Sequence, residues 1–377
     1  MPRRIVIAVD SFKGSISAAG AAAALAAGWC SERDGDELLL RPMADGGEGT
    51  LGAFAAAVPS ARRIPVRVTG PDDVPVDAAW VLLPPTAAAP HGIAVVELAS
   101  TSGIEMLGAP PRLRPFDAHT RGFGEAIAAA LAHGASALVL GIGSSASTDG
   151  GSGMLVALGA RLRDASGAAV AAGARGLIDV VGVDLTGLLP LPPGGVTVLS
   201  DVTNPLWGPR GAAAVFGPQK GADAAGVAAL EQGLRQLGGL VAARTGADPD
   251  TPGAGAAGGT GFALLAWGAR LVPGAAAVGE LIGLRAALAA ASLVITSEGA
   301  FDAQSAAGKV PSHVAALAAE AGVPVALVAG RIGRDALTSA FAASISLTDL
   351  AGSPDAAMAD PARWLRSAGA ALAAGFR

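Results

Sequence analysis

Short apolar runs alternate along the chain with glycine-rich polar segments and with alanine-rich stretches of helical length. The apolar runs predict strands, which are best defined at 5–9, 37–43, 137–140, 196–200, 292–296, 323–329 and 345–347. The alanine-rich stretches predict helices at 18–29, 51–58, 122–131, 154–163, 262–271, 311–321 and 361–374. Because strand, loop and helix repeat in that order, the pattern predicts an α/β fold.

The pattern changes after residue 62. Short alternating strands are predicted at 64–68, 78–83 and 93–98, with no helix before Thr120. The alternation of strands and helices has resumed by residue 292. Since a chain of 377 residues is long enough for two domains, we place a domain boundary near residue 62.

Composition indicates an ordered globular protein, since 51% of the residues are apolar and 15% are charged. No apolar run reaches the length of a membrane span, and Asp10 and Lys13 interrupt the first run too early for a signal peptide, so we expect a cytoplasmic protein. The net charge of −5 argues against general binding of nucleic acid. The single cysteine, Cys30, excludes an internal disulfide, and the four histidines lack the spacing of metal ligands.

A loop rich in glycine and hydroxyl groups follows the central apolar run, at 141–151. Its glycines let backbone N–H groups approach an anion, and the next apolar stretch predicts a helix whose N-terminus faces the same point. The candidate phosphate-binding residues are Ser144, Ser145, Asp149, Gly150 and Gly151. The loop also fits a dinucleotide fingerprint, but its later glycines break the first helical turn, and the acid expected on the next strand, Asp164, lies in a turn. The pattern favours a nucleotide phosphate over NAD, and a tight turn without a ligand stays open.

Charged and hydroxyl side chains also follow the first predicted strand. Open α/β sheets bind ligands at the carboxyl ends of their strands, which makes this loop a candidate site. Its candidate residues are Asp10, Ser11, Lys13 and Ser15. The alternative is an ordinary turn before a helix that is capped by Ser15 or Ser17.

Two carboxylates flank a pair of glycines after the second predicted strand. Asp45 and Glu48 enclose Gly46 and Gly47. The carboxylates repel each other unless Mg²⁺ or a lysine lies between them, so this segment is a candidate cation site. A solvated turn is the alternative.

Polar residues recur at later strand ends. Asp201 and Asn204 follow the strand at 196–200, and Glu298 follows the strand at 292–296. The tract 253–261 has the composition of a flexible linker but leads directly into a predicted helix. Neither a Walker sequence nor a protein-kinase signature is present, so these loops would have to serve phosphoryl transfer without those motifs.

At these loops the chain resembles the bacterial type 1 glycerate kinases, also called the glycerate 2-kinase family. The resemblance runs essentially from end to end of the chain. It is carried by DSFKGS at 10–15, PMADGGEGT at 42–50, the loop 141–151, DVTNP at 201–205 with FGPQKG at 216–221, GAAGG at 255–259, and Glu298, Gly299, Asp302, Gln304, Gly308 and Lys309.

The resemblance implies ATP- and Mg²⁺-dependent phosphorylation of D-glycerate, usually to 2-phosphoglycerate. It implies a flavodoxin-like (Rossmann-like) three-layer domain built from both chain ends, 1–62 and 292–377. A second α/β domain, restriction-endonuclease-like, would be inserted at 63–291, with the site between the two. The expected partners are these small molecules, with neither nucleic acid nor membrane, and the expected state is a monomer or homodimer.

Phosphoryl transfer requires cations against the developing negative charge and a group that accepts the hydroxyl proton. We expect Lys13 to be the first such cation and Asp201 to be the base ahead of Asp10, because Asp201 lies beside Asn204 at a strand end. The full assignment is catalytic for Lys13, Asp201 and Asp10; metal-binding for Asp45 and Glu48; and substrate- or phosphate-binding for Ser11, Ser15, Gly46, Gly47, Ser144, Ser145, Asp149, Gly150, Gly151, Asn204, Gln219, Lys220, Gly258, Gly259, Glu298, Asp302 and Lys309.

The chain departs from the family pattern at four of these loop positions. Ser144 stands where the family usually has glycine, and Thr148 where it has asparagine. Ser297 and Ala300 stand where it has glycine and arginine around the Glu-Gly pair. Loss of the arginine removes a possible clamp for a carboxylate or phosphate. The alternatives are therefore a kinase of another small hydroxy acid, a dinucleotide-dependent oxidoreductase, and a binding or regulatory homologue without catalysis.

Overall fold

A computed structural model describes residues 2–302 and 309–376. Gln304 and Gly308, which contribute to the family resemblance, lie outside the described residues. The strands are β1 (Arg4–Val9), β2 (Glu37–Leu40), β3 (Arg62–Thr69), β4 (Pro75–Leu83), β5 (Ile93–Glu97), β6 (Ala137–Gly141), β7 (Arg161–Arg163), β8 (Gly182–Asp184), β9 (Val196–Leu199), β10 (Arg270–Val272), β11 (Leu293–Phe301), β12 (Val325–Ile332) and β13 (Ala343–Ser346).

The α-helices are α1 (Ala18–Glu32), α2 (Thr50–Ala57), α3 (Ala99–Ser102), α4 (Arg121–Ala132), α5 (Ser152–Ala157), α6 (Ala212–Phe216), α7 (Ala224–Thr245), α8 (Thr260–Trp267), α9 (Gly274–Leu281), α10 (Leu284–Leu288), α11 (Val310–Ala321), α12 (Leu347–Ala351), α13 (Pro354–Ala359) and α14 (Pro361–Gly375). Short 3₁₀ helices lie at Ile104–Leu107, Ala174–Asp179, Pro218–Lys220 and Ala256–Gly259. The chain thus has the mixed α/β content that the pattern predicts.

The chain divides into two compact units. The first, called here the terminal unit, comprises Met1–Asp45, Gly52–Pro59 and Pro273–Arg377. The second, the inserted unit, comprises Gly46–Leu51 and Ser60–Val272. Residues 273–291, which the sequence places in the inserted domain, belong to the terminal unit because α9 and α10 pack against α11, and α10 also contacts β1.

The terminal unit is built on a parallel sheet in the order β13-β12-β11-β1-β2. Numbered within the unit, this order is 2-1-3-4-5, one of the two common orders of doubly wound sheets. β1 is almost entirely buried, as expected of a central parallel strand covered by helices on both faces. Its core includes Leu25 and Trp29 of α1 together with Leu365 and Leu372 of α14.

The inserted unit contains a mixed sheet in the order β10-β9-β6-β5-β4-β3. β3, β4 and β5 pair antiparallel, whereas β5, β6, β9 and β10 pair parallel. The largest apolar cluster of this unit joins Trp80 of β4, Phe123 of α4 and Leu140 of β6. The parallel half of the sheet therefore directs the loops after β5, β6 and β9 to one edge.

Most of the predicted elements are confirmed, and the differences have local causes. The helix predicted at 154–163 ends at Ala157, because Gly159 has a φ of 111° and the following residues form β7. The helix predicted at 262–271 likewise ends at Trp267, where Gly268 has a φ of 101°, and β10 follows. The prediction that no helix lies between residue 62 and Thr120 was wrong, because the short α3 lies there. The prediction also omitted α7, whose glycines and polar residues obscure the apolar period.

The helix ends agree with the capping chemistry of the sequence. Ser17, rather than Ser15, caps α1, since its hydroxyl accepts a hydrogen bond of 3.2 Å from the amide of Gly20. His133 is the exposed C-terminal cap of α4. Throughout residues 2–302 and 309–376, we find no helix with the length and apolarity needed to span a bilayer.

Glycine allows α1 and α14 to pack in close contact. A Cβ atom at Gly28 would lie 1.9 Å from the carbonyl oxygen of Arg366, a distance that forces the helices apart. We expect Gly28→Ala to lower the free energy of unfolding by about 2–3 kcal/mol, the usual cost of overpacking against a backbone. Urea unfolding followed by circular dichroism measures this change.

Gly52 provides the matched control, because nothing lies within 4 Å of a Cβ built there. Gly52→Ala lies in α2 and should raise the free energy of unfolding by about 0.5–1 kcal/mol through helix propensity. Equal effects of the two alanines would show that the contact between α1 and α14 does not require glycine.

Candidate functional site

In the terminal unit, the register of the sheet aligns the first group of candidate residues. Val9 is the partner of Ser297, so Asp10 and Glu298 follow at the same level on adjacent strands. The amide of Asp10 donates to the carbonyl of Ser297 at 3.4 Å, and the hydroxyl of Ser297 donates to the carbonyl of Asp10 at 3.2 Å. These bonds hold the backbone of Asp10 at the carboxyl end of β1.

The carboxylates at this edge repel one another. Burial raises the pKa of Asp10 to about 7, with a further increase from Asp45 and Glu298, while the amide and hydroxyl of Ser11 lower it. Glu298 is 6% exposed, and its Oε2 lies 3.6 Å from Nζ of Lys309. The edge thus combines a half-buried carboxyl that readily accepts a proton with a lysine held by a buried carboxylate.

The loop after β1 presents Lys13 and Ser15 to solvent. Phe12 is buried and pairs with Ile16 in an isolated antiparallel bridge, and the amide of Ser15 donates to the carbonyl of Phe12. The turn between them contains Gly14 at a φ of 71° and leaves Lys13 and Ser15 exposed. Asp302, the residue after β11, is partly exposed. This placement allows Lys13 to contact a ligand of the terminal unit.

The carboxylates at this edge fit a magnesium ion for which they supply only part of the coordination shell. Asp45 is exposed and is electrostatically coupled to Asp10. Within the described ranges, no three His, Cys, Asp or Glu side chains group closely enough to hold a metal by themselves. Mg²⁺ commonly binds through one or two carboxylates together with water and substrate phosphates, and this arrangement fits that mode.

In the inserted unit, the segment 46–51 lies against three strand ends. The amide of Gly143 donates to the carbonyl of Gly46 at 2.9 Å, and a Cβ at Gly46 would lie 2.6 Å from Cβ of Leu199. Glu97, at the end of β5, accepts from the amide of Leu51 at 2.9 Å. Gly46 is therefore required for this close packing, and Glu48 remains exposed in the same segment.

Glu97 is a structural carboxylate that sequence reasoning missed. Burial raises its pKa, its bonds to the amides of Leu51 and Gly49 lower it, and the charge of Glu48 raises it. A single charge within the apolar run 93–98 was the signal that could have identified it. Of the predicted metal ligands, Asp45 raises the pKa of Asp10, and Glu48 raises the pKa of Glu97.

Asp149 lies beneath the central loop with none of its surface exposed. Its Oδ2 accepts from the amide and hydroxyl of Thr120 at 2.9 and 2.8 Å and from the amide of Gly153 at 3.1 Å. Its Oδ1 accepts from the amide of Gly151 at 3.1 Å. The carboxylate thus satisfies backbone donors at the N-terminus of α5, and a direct contact with a phosphate would require it to leave them.

Lys220 is buried below the same loop. It is 3% exposed, and its ammonium donates to the carbonyl of Ser147. Burial lowers the pKa of Lys220 to about 8, although the charge of Asp149 raises it. We infer that Lys220 and Asp149 shape the loop from below.

The glycine tract packs against the central loop from another side. The amide of Gly150 donates to the carbonyl of Gly258 at 3.0 Å, and a Cβ at Gly258 would lie 2.1 Å from the carbonyl oxygen of Ser147. A Cβ at Gly259 would lie 2.9 Å from Cα of Gly150. Buried Ser145 bonds with the neighbouring backbone and with the hydroxyl of Ser147 at 3.2 Å. Among the candidates in this loop, Ser144 is only partly buried.

The remaining candidates lie after β9. Asp201 and Gln219 are exposed. The side chain of Asn204 donates to the carbonyl of Arg210 at 2.8 Å, and its own carbonyl accepts from Gly255. Asn204 therefore fixes its loop, whereas Asp201 is accessible to a ligand.

The raised pKa of Asp10 predicts a dependence of stability on pH. An unfolded chain releases this proton near 3.8 and the folded protein near 7, so the folded state loses stability as pH rises between these values. Asp10→Asn should match the wild type below about pH 4 and exceed its free energy of unfolding by about 1 kcal/mol or more above about pH 7. Urea titrations in buffer with a chelator measure both; a difference independent of pH would contradict the prediction.

The bonds of Asp149 predict a large structural effect of substitution. Asp149→Asn turns a donor toward backbone amides and leaves Lys220 without its counter-charge, so the free energy of unfolding should fall by about 2–4 kcal/mol. Asp223→Asn is the matched control, because Asp223 caps α7 through one bond to the amide of Gly226 and asparagine caps equally well. Equal stabilities of the two variants in urea unfolding would contradict the buried role.

Comparison with known proteins identifies relatives along nearly the whole chain. The glycerate kinase of Bacillus subtilis is 42% identical over 335 residues, a match that covers 88% of this chain and 86% of that protein. The glycerate 2-kinase of Escherichia coli is 41% identical with the same coverage. A crystal structure from Salmonella typhimurium LT2 that carries the name glycerate kinase 2 has a TM-score of 0.84 and 38% identity, and the match covers 99% of this chain and 98% of that one. These relatives are kinases by name, which favours the predicted kinase over the predicted oxidoreductase.

The profile of the glycerate kinase family matches residues 5–377. The chain therefore belongs to the glycerate kinase family, and it is a kinase.

Proposed function

We propose that this kinase transfers the γ-phosphoryl group of ATP to D-glycerate and forms 2-phosphoglycerate. The observation that carries the proposal is the acidic edge of the terminal unit, where Asp10 lies half-buried beside Asp45 and Glu298, with Lys13 exposed in the next turn. The two named relatives above support glycerate as the acceptor. A hydroxy acid and a nucleotide both carry anionic oxygens, so a site for them requires cationic side chains such as Lys13 as well as a base.

Asp10 is the proposed base. The glycerate hydroxyl oxygen forms a bond to the γ-phosphorus, the bond from phosphorus to the leaving oxygen of ADP breaks, and the hydroxyl proton passes to a carboxylate of the enzyme. Asp10 is fixed through its backbone to Ser297 and is half-buried at the end of a central strand, whereas Asp201 is exposed. This geometry reverses the order in which the sequence ranks the two aspartates.

Lysines are the proposed cations. The chain contains three lysines, Lys13, Lys220 and Lys309, and all of its other strongly basic side chains are arginine. Each lysine lies in a candidate loop, which supports a need for compact point charges there. Lys13 and Lys309 are exposed and suited to contact substrate, while Lys220 acts through the central loop.

The acidic groups also fit a magnesium ion. Asp45 and Glu48 are its proposed ligands, and when bound the ion would neutralise charge on the phosphate oxygens.

We further propose that the terminal unit is a flavodoxin-like domain and the inserted unit a restriction-endonuclease-like one. The strand order 2-1-3-4-5 supports the first assignment.

A coupled assay of ADP release tests the proposed reaction. We expect release with D-glycerate and ATP, and phosphorus NMR should show an ester of the secondary hydroxyl. Glycolate and lactate serve as competing acceptors. An ester of the primary hydroxyl would contradict the product, a preference for another hydroxy acid would contradict the substrate, and no transfer to any acceptor would favour a binding homologue.

Lys13→Ala tests the proposed cation. It should lower kcat by at least about tenfold, because lost charge stabilisation of the transition state is not replaced. Arg161→Ala is the control, since Arg161 is exposed in β7 of the inserted unit and has no assigned role. A wild-type kcat in Lys13→Ala would mean that Lys13 belongs only to the turn.

A further inference from the structure

The pairing of β11 with β12 places an arginine beside the position where the family resemblance expects one. Ala300 of β11 is the register partner of Arg331 of β12, and Glu298 is the partner of Ala329. Side chains alternate along a strand, and register partners in neighbouring strands lie on the same face. Arg331 therefore shares a sheet face with Glu298 and lies one side-chain step farther toward the carboxyl edge.

The spacing of strands lets the side chain of Arg331 reach across to the position of Ala300. Neighbouring strands are about 4.8 Å apart, which is less than the length of an arginine side chain. Ala300 is partly exposed, and its methyl group extends only one carbon from the backbone. A guanidinium from β12 and one from position 300 can thus serve the same anion.

The guanidinium of Arg331 is available to a ligand. Arg331 is exposed, and across the described ranges its side chain forms neither an ion pair nor a hydrogen bond. Glu298, which shares this sheet face, is instead paired with Lys309 at 3.6 Å. An arginine that stays unpaired at an acidic edge is suited to an incoming anion.

We propose that Arg331 binds anionic oxygens of the substrates and replaces the arginine that the resemblance places at position 300. Its fork of N–H donors matches either the carboxylate of the hydroxy acid or a phosphate of the nucleotide, and the two sources differ in which Michaelis constant depends on the residue. This inference rests on the proposed function and adds a specificity residue to it.

Steady-state kinetics of Arg331→Ala test the inference. The variant should raise KM for glycerate or for ATP, or lower kcat, by at least about tenfold, as expected for loss of a charged, bidentate contact. A selective rise in KM for glycerate identifies the carboxylate as the ligand, and a selective rise for ATP identifies the phosphate. Arg334→Ala is the matched control, because Arg334 is exposed and lies just beyond β12. Its constants should stay within about twofold of the wild type.

Placing an arginine at position 300 in the Arg331→Ala variant provides the decisive test. The double variant Ala300→Arg with Arg331→Ala should recover at least about tenfold of the activity lost in Arg331→Ala, since the charge returns to the same volume. Recovery of Arg331→Ala by added ethylguanidine is a second readout that a structural role would not produce. Wild-type constants in Arg331→Ala, or no recovery in either rescue, would overturn the proposal.

A separate measurement distinguishes this inference from the proposed reaction. If the wild type fails to phosphorylate glycerate, the proposed function fails. The increase in melting temperature on addition of ATP or pyrophosphate then still measures whether Arg331 binds an anion. A smaller increase in melting temperature in Arg331→Ala, but not in Arg334→Ala, supports the anion site. Equal increases in the wild type and in both variants reject it.

Discussion

Parallel pairing is the constraint on which both units of this protein depend. A parallel strand is covered on both faces, so its polar chemistry is confined to the edge where the strand ends. In the terminal unit, β1, β11 and β12 end side by side and bring Asp10, Glu298 and Arg331 to that edge. In the inserted unit, β5, β6 and β9 do the same for Glu97 and the central loop. Charged groups distant in sequence become neighbours through backbone hydrogen bonds alone.

The candidate residues divide into exposed groups that can meet a ligand and buried groups that hold the loops. Lys13, Asp45 and Asp201 belong to the exposed class. Asp149 and Lys220 belong to the buried class, and their opposite charges reduce the cost of desolvating each one. A phosphate-binding loop must keep its amides aimed at empty space before the ligand arrives, and buried hydrogen bonds from beneath are one way to hold them there.

The departures from the family pattern have visible structural consequences. Ser144 has a φ of 58°, a conformation that glycine adopts without the steric penalty of a side chain. Ser297 uses its hydroxyl to bond the carbonyl of Asp10, a contact that glycine lacks. Thr148 is buried, and its hydroxyl has no hydrogen-bond partner among the described residues. Ala300 is the register partner of Arg331 in the neighbouring strand. The differences at Ser297 and Ala300 therefore alter the carboxyl edge of the terminal unit, which the proposed reaction uses.

The sequence by itself determined the α/β class, most of the strands and helices, and the loops that carry polar chemistry, because periodicity and turn residues act over a few neighbouring positions. It also predicted correctly that Ser17 is a possible cap of α1. Only the tertiary structure decided that Asp149 and Lys220 lie beneath their loop and that Arg331 stands beside Ala300. Burial and strand register arise from packing between distant segments, and no local pattern of residues records which segments will meet.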